Sequence, residues 1–253
     1  MKIDNYHNTP SRKRRRMVEE LYAKGPRVRL RLPTNADLEM FNSWMRELQT
    51  NEYLNIEEPL IPENEAGIFA ERLRSLPAKL HLFHELEQLR VKKGPGMLLT
   101  KEELRMLREI QHLRSEHQIL PQDFRNVDLM FAIENRRRKT VGMIKVNVSI
   151  VHQIATIRTI VGPEFRGYHY GREAKLLILE YLFEHLGLEK VCSRMAETNI
   201  ANYRCNLASG FKVDARLKEH AFIEHRRCDL ICMAVWRRDW PNIKKRLRCP
   251  RGS

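Results

Sequence analysis

A glycine-bearing basic turn is the segment of this chain whose residue types best suit ligand chemistry. A β-rich run from Ala155 to Val161 breaks at Gly162-Pro163 and leads into Arg166-Gly-Tyr-His-Tyr-Gly171, after which an apolar helical pattern begins. The first N–H groups of a helix lack intrahelical partners, and the positive end of the helix dipole lies beside them. The sequence therefore predicts a site for a phosphate or pyrophosphate at this turn.

A neutral polar stripe is the second candidate ligand contact. After a short β-like run, Lys190 to Met195, four polar residues recur at helical spacing, namely Asn199, Asn202, Tyr203 and Asn206. A stripe that is polar but uncharged is unusual for a face that only meets solvent. Periodicity shows only which residues are neighbours, however, so a neutral exposed face stays open as the alternative.

These two segments together resemble the acyl-CoA site of the GCN5-related N-acetyltransferases (GNAT), in particular the branch that acetylates the N-termini of ribosomal proteins. That family's phosphate turn reads Arg/Gln-x-x-Gly-x-Gly/Ala, and its downstream helix reads Asn-x-x-Ala/Ser and closes with Gly-Phe. The matching positions here are Arg166, Gly167, Tyr170, Gly171, Asn199, Gly210 and Phe211. The segments that start at Arg27 and end at Trp240 also resemble the family's first and last strands.

Two positions depart from the family pattern. His169 stands where the first motif glycine lets the backbone approach the pyrophosphate, and a residue with a Cβ is less free to adopt left-handed geometry. Asn206 stands where many members carry the tyrosine that protonates the leaving thiolate. The ribosomal branch often lacks that tyrosine, so its absence is compatible with catalysis.

The resemblance implies acetyl-CoA as the acyl donor and no metal. The strand before the turn separates from its neighbour in this family, and its freed backbone pairs with the pantetheine arm of the cofactor. The implied cofactor-binding residues are Ile160, Val161, Gly162, Arg166, Gly167, Tyr168, His169, Tyr170, Gly171, Arg172, Asn199 and Asn206. Tyr203, the hydroxyl nearest to the missing acid, and Asn206 are the candidate catalytic residues.

The general base is not identified by the sequence. Thr156 stands where some members carry a strand glutamate that activates the amine through water. The alternatives are a water chain or one of four side chains, Glu134, Glu164, His152 and Asp229, of which Asp229 has a structural role in the branch. Orientation of the reactants alone also lowers the barrier by several kcal/mol without any base.

The elements that position these residues alternate between strand and helix, which predicts an α/β fold. The resemblance specifies the GNAT fold, a mixed, mostly antiparallel twisted sheet flanked by helices. The predicted strands are 27–32, 128–134, 140–149, 155–161, 190–195 and strands within 222–236, and the predicted helices are 37–49, 63–76, 171–186 and 199–209.

Three segments fall outside this core pattern. Residues 1–26 are expected to form a basic extension and residues 241–253 a basic tail, leaving 27–240 as the acyltransferase domain. Residues 77–126 read as an inserted helical hairpin whose second helix begins at a capping box, Thr100-Lys-Glu-Glu103. We expect this hairpin to cover the acceptor side of the site or to contact another subunit.

Composition narrows the class of protein. The chain has 253 residues, 42% hydrophobic and 31% charged, which is typical of soluble globular proteins. No apolar run reaches the roughly 20 residues that a membrane span needs, so a cytoplasmic protein without membrane contact is expected. The five cysteines never occur as C-x-x-C, which argues against a disulfide framework and a zinc site.

The formal net charge of +14 favours polyanionic partners such as RNA or coenzyme A. Much of the charge lies in three clusters, at 12–16, 136–139 and 244–248. Solvated tails and turns are the alternative interpretation of these clusters.

The leading functional hypothesis is an acetyl-CoA-dependent N-acetyltransferase that acts on a primary amine of a small molecule, peptide or protein. One alternative acceptor is an RNA-associated amine, such as a ribosomal protein N-terminus or an aminoacyl-tRNA. Another alternative is a GNAT-fold binding module that has lost catalysis. A homodimer and an RNA or ribosome contact through the basic tails are further expectations.

Overall fold

The computed structural model describes residues 23–46, 66–76, 126–223 and 225–248. The eight strands are β1 (Ala23–Lys24), β2 (Val28–Arg31), β3 (Asn126–Asn135), β4 (Thr140–Ser149), β5 (Ile154–Val161), β6 (Lys190–Ala196), β7 (Lys212–Ile223) and β8 (Arg226–Trp236). The helices are α1 (Asn35–Arg46), α2 (66–76), α3 (Tyr170–Glu180), α4 (Ile200–Ala208) and α5 (Trp240–Arg248). A π-helical turn, Tyr181–His185, extends α3. The predicted hairpin 77–126 lies outside the described residues apart from Asn126.

All eight strands form one sheet in the order β1-β2-β3-β4-β5-β6-β8-β7. Every neighbouring pair is antiparallel except β5 and β6, which run parallel because α3 connects them. The predicted mixed, mostly antiparallel sheet is therefore confirmed. Alternation predicts β2 correctly: Val28 and Leu30 are buried, and the arginines between and after them are partly exposed.

Apolar side chains cover both faces of the sheet. On one face, α3 packs against the central strands through Ala174, Leu177 and Ile178 in the larger core. On the other face, α1 and α2 pack against the ends of β3, β4 and β5, and the residues of this second core include Phe41, Trp44, Phe69, Met143 and Ile160. The sheet is thus held from both sides near the point where β5 ends.

A buried ionic cluster fixes the start of α1 against the sheet. Arg31 donates two hydrogen bonds to Asp37, at 2.6 and 2.9 Å, and a third from Nε to Glu134 at 2.7 Å. The hydroxyl of Thr140 also donates to Asp37, at 2.6 Å. Burial raises the pKa of Asp37, but the hydrogen bonds from Arg31, Thr140 and Thr34 outweigh it and lower that pKa to about 2.

Three elements differ from the sequence prediction. Strand β7 begins at Lys212, ten residues before the predicted Phe222, as an edge strand whose first nine residues are exposed. Strand β1 lies inside the predicted 1–26 extension. Helix α5 begins at Trp240 and continues into the predicted tail, and Trp240 and Ile243 are buried in the main core. No described helix is both long and apolar enough to cross a bilayer.

Candidate active site

Strands β5 and β6 separate at one end, and this opening defines the site. Their parallel pairing runs from Ile154 opposite Lys190 to Thr156 opposite Cys192 and stops there within the two described strands. The far edge of β5 stays paired with β4 as far as Val161, and the far edge of β6 stays paired with β8 as far as Ala196. The facing edges beyond Thr156 and Cys192 therefore have backbone groups available to a ligand placed between them.

The predicted phosphate turn lies at the open end of this cleft. Gly167 and His169 both adopt left-handed backbone geometry, with φ of 86° and 62°. His169 is the N-cap of α3, so the first N–H groups of that helix point out from the turn. The left-handed conformation expected from a motif glycine is thus present at position 169 even though the residue is histidine.

Gly171 sits close to the cleft wall, where a side chain would interfere. A Cβ built on Gly171 would lie 3.3 Å from Val161 Cγ2 and 3.9 Å from Thr159 Cγ2. Three buried polar atoms near the cleft have no hydrogen-bond partner in the described structure, namely Thr159 Oγ1, Arg172 Nε and Thr198 Oγ1. A polar ligand with a slender arm fits such a lining, because buried polar groups are normally satisfied.

Glu173 ties the turn to the start of the sheet. Its Oε1 accepts hydrogen bonds from the backbone N–H of Arg27 at 2.6 Å and of Val28 at 3.0 Å. The Glu173 carboxylate is therefore hydrogen-bonded to the β1–β2 turn. The basic groups near the phosphate turn, Arg27, Arg166 and Arg172, carry the charge that an anion would meet.

The polar stripe of α4 faces inward. Asn199 caps the helix by accepting a hydrogen bond from the backbone N–H of Asn202 at 3.0 Å. Asn206 is completely buried, and Tyr203 packs partly buried against the main core. The alternative of a neutral exposed face is thus wrong for Asn199 and Asn206, while Ala201 and Ala208 on the other side are exposed.

A residue that the sequence analysis missed lies under this stripe. Lys175 of α3 is 2% exposed. It donates hydrogen bonds to the side-chain oxygens of Asn202, at 2.6 Å, and of Asn206. Burial lowers the pKa of Lys175, and the thiol of Cys205 opposes that shift. The only signal in the sequence was a lysine inside the otherwise apolar stretch 174–179.

The structure separates the candidate bases. Glu134 accepts from Arg29 and Arg31, and Asp229 accepts from Arg216 and from the backbone N–H of Glu219, so both carboxylates already have ionic partners. The hydrogen bond from Arg216 holds the pKa of Asp229 below its usual value. His152 lies in the turn before β5, at the closed end of the cleft, whereas the exposed Glu164 lies just after β5.

The predicted cofactor residues converge on this cleft from three elements. Ile160, Val161 and Gly162 end β5, residues 166–172 form the turn and the start of α3, and Asn199 and Asn206 belong to the helix beside β6. Segments that are separate in sequence thus meet at one opening. Among the described residues, no group of three or more His, Cys, Asp or Glu side chains is arranged to hold a metal ion.

Comparison with known proteins agrees with this geometry. Residues 95–212 match the model of the acetyltransferase (GNAT) domain family. Over 111 residues the chain is 25% identical to spermidine N(1)-acetyltransferase of Vibrio cholerae serotype O1, an alignment that covers 44% of this chain and 64% of that relative. The chain therefore spans less than two thirds of the length of this curated relative.

Two solved structures share the fold. The crystal structure of spermidine N-acetyltransferase from Vibrio cholerae in complex with CoA and spermine superposes with a TM-score of 0.57 at 18% identity, covering 86% of this chain and 100% of that one. A GCN5-related N-acetyltransferase from Brucella melitensis gives 0.55 at 16% identity, covering 91% and 84%. The chain therefore has the GNAT fold, and its residues 95–212 match the model of that family.

Proposed function

We propose that this protein transfers an acetyl group from acetyl-CoA to a primary amine by direct attack of the amine on the thioester. The observation that carries the proposal is the parted β5–β6 pair with the α3 turn at its open end. Such a cleft accepts an extended amide-containing arm by backbone pairing and a pyrophosphate by helix N–H groups. Gly171 has no side chain at a point where a Cβ would lie 3.3 Å from Val161 Cγ2, which favours backbone approach on that side.

The residues supply binding and orientation in this proposal. Backbone groups of Ile160, Val161 and Gly162 would pair with the pantetheine arm, and residues 166–172 would hold the pyrophosphate. The side-chain oxygen of Asn199 caps the helix, and an amide N–H group is the part of this side chain that can donate to a pantetheine carbonyl. Fixing the thioester beside the amine supplies much of the rate enhancement through orientation.

The acceptor is proposed at the level of a primary amine. The names of the relatives point to polyamines, since two of them act on spermidine or are bound to spermine. The net charge of +14 works against a polycationic acceptor, because like charges repel at long range. The resemblance to the ribosomal branch instead favours a peptide or protein N-terminus.

An amine carried by RNA or the ribosome is the second candidate acceptor, and the same net charge favours it. In the described structure, the cluster 136–139 forms the exposed β3–β4 turn, where Lys139 also stacks its ammonium over Phe165 at 4.8 Å. In the cluster at the C-terminus, Lys244 is paired with Glu180 at 2.6 Å and Glu184 at 2.5 Å.

Calorimetric titration with acetyl-CoA, followed by an assay of thiol release, tests the proposal. The assay would compare spermidine, a peptide with a free N-terminus and an aminoacyl-tRNA as acceptors. Binding of acetyl-CoA with release of thiol by one acceptor class is the expected result. Binding without turnover would favour the catalytically inactive binding module, and a protein that binds neither acetyl-CoA nor CoA would refute the proposal. Sedimentation of the same sample tests the expected homodimer.

A further inference from the structure

A chain of hydrogen bonds leads from a buried lysine to the point where β5 and β6 separate. Lys175 Nζ donates to Asn206 Oδ1, and Asn206 Nδ2 in turn donates to Ser193 Oγ at 3.1 Å and to Met195 Sδ at 3.7 Å. Ser193 is the first residue of β6 beyond the last pair with β5, Thr156 opposite Cys192. The chain of contacts therefore ends at the vertex of the cleft.

The direction of each bond is set by the lysine. A lysine ammonium only donates, so it holds Asn206 with its oxygen toward Lys175 and its N–H group toward Ser193. Because Ser193 Oγ accepts from Asn206, its own hydroxyl hydrogen points away from that amide. On the opposite strand, Thr159 Oγ1 is buried without a hydrogen-bond partner in the described structure. Two hydroxyls thus border the cleft, that of Ser193 beside its closed end and that of Thr159 three residues farther along β5 than the last pair.

The reactive end of acetyl-CoA reaches this vertex if its pyrophosphate occupies the α3 turn. The free edge of β5 from Ile157 to Val161 is five residues long, about 16 Å at the usual rise of a strand. An arm laid along that edge from the turn brings the thioester sulfur to the Ser193 end. This step rests on the proposed function, because it assumes acetyl-CoA in the cleft.

We propose that Ser193 donates a hydrogen bond to the departing CoA sulfur, and that Lys175 and Asn206 are positioning residues that orient this hydroxyl and supply positive charge behind it. When the amine attacks, the carbon–sulfur bond breaks and the sulfur leaves with the bonding electron pair as a thiolate. The surplus proton of the amine passes to solvent, and the thiolate takes up a proton from solvent after release. Ser193, Asn206 and Lys175 together therefore stabilise the leaving thiolate, which Asn206 alone cannot protonate because an amide is not an acid.

The lysine has features that a purely structural contact does not need. It is 2% exposed, and its described partners are two neutral amides and the thiol of Cys205, with no carboxylate among them. Burying an ammonium without a carboxylate partner is costly, and a buried cation of this kind suits a site where an anion develops during function. The titratable group that faces Lys175 from α4 is the thiol of Cys205.

The pKa of the thiol of bound CoA tests this proposal without any acceptor. Thiolate absorbance is followed between about pH 6 and 10, with the complex of desulfo-CoA as the blank so that the protein's own thiols and tyrosines cancel. In the wild type, the bound thiol should titrate below its value in free CoA. K175M and S193A should each raise it by about one unit, a tenfold loss of thiolate stabilisation, with CoA affinity at low pH nearly unchanged.

Matched variants separate the alternatives. K212M removes the same charge from an exposed position of β7, where the side chain is 79% exposed, and should leave the thiol pKa as in the wild type. C205A shows whether titration of the neighbouring thiol contributes. S193A keeps the Lys175–Asn206 contact. If K175M does not fold, the thiol pKa measured in S193A is sufficient to test the proposal.

Three results would overturn the inference. A wild-type thiol pKa equal to that of free CoA would do so while leaving acetyl-CoA binding intact. An unchanged pKa in S193A, with a rise in Y203F instead, would transfer the role to Tyr203. A protein that does not bind CoA at all would remove the proposed function and this inference together.

Discussion

Gly171 at the start of α3 faces Val161 at the end of β5, and a Cβ on the glycine would lie 3.3 Å from Val161 Cγ2. The N-terminus of α3 and the end of β5 therefore contact each other at the open end of the site. A side chain at position 171 would pack tightly against Val161. Substitution of Gly171 therefore tests whether this contact belongs to the site.

Gly171→Glu should abolish acetyl-CoA binding. The substitution places a side chain against Val161 and a negative charge where the pyrophosphate is proposed to bind. Isothermal titration measures the loss, which we expect to exceed about 100-fold, corresponding to roughly 3 kcal/mol. Gly67→Glu is the matched control, since a Cβ at Gly67 would meet nothing within 4 Å. Equal affinity in the two variants would remove this turn from the site.

His169→Gly should bind acetyl-CoA as tightly as the wild type or more tightly. His169 has a φ of 62°, which glycine adopts without the steric cost of a Cβ. The same relief should stabilise the fold by up to about 1 kcal/mol, after the greater entropy of glycine in the unfolded chain is subtracted. Calorimetry and thermal unfolding give the two quantities.

His225→Gly is the control for His169, because His225 has the same φ of 62° in the turn between β7 and β8. This variant should gain the same stability as His169→Gly without any change in its affinity for acetyl-CoA. A large loss of affinity in His169→Gly would mean that the imidazole itself contacts the cofactor.

Local pattern predicted most of the sheet because its central strands have one clear alternation or a continuous apolar run. Strand β4 was predicted at its observed bounds, Thr140–Ser149. The first nine residues of β7 are exposed, including Val213 and Leu217 of its apolar alternation, so the strand is defined by its pairing with β8 and not by burial. Helix α5 was hidden in a basic run because, among its side chains up to position 245, only Trp240 and Ile243 are buried.

Only the parts of the site that belong to local sequence motifs were predictable. The turn and the stripe of α4 come from local spacing, and the fold brings them to one cleft. The function of Lys175 was not predictable, because its partners Asn202 and Asn206 lie on another helix, 27 and 31 positions away in the chain. A pattern of helical periodicity marks a lysine among apolar residues but does not identify what it contacts.

Asp37→Asn should destabilise the protein in a pH-dependent way. The pKa of Asp37 is lowered to about 2 in the folded state from 3.8, so its contribution is fully present above about pH 4 and is lost as the pH falls through about 2. That shift corresponds to roughly 2 kcal/mol, and removing the buried charge partner of Arg31 adds to it, for a total of about 3–5 kcal/mol at neutral pH. Urea unfolding at a series of pH values measures the difference.

Asp214→Asn supplies the comparison for Asp37, since its side chain is 37% exposed and pairs with Lys190 at 2.7 Å. Exposed pairs contribute about 1 kcal/mol or less, so this variant should resemble the wild type. If the stability gap between Asp37→Asn and the wild type were the same at pH 2 and pH 7, the ionic cluster would not be the source of the effect.

Ile243→Ala should show that α5 belongs to the folded domain although it begins where the sequence suggested a tail. Ile243 is 7% exposed, and its side chain packs on Gly210, where a built Cβ would lie 2.7 Å from Ile243 Cγ2. Truncating a buried isoleucine to alanine leaves a cavity and costs about 2–5 kcal/mol, which thermal unfolding would detect. Lys245→Ala removes an exposed side chain from the same helix and should change stability by less than about 0.5 kcal/mol. Because Gly210 lies two residues after α4, loss of this contact should also weaken CoA binding in Ile243→Ala. Equal stability of the two variants would mean that α5 does not contribute to the folded domain.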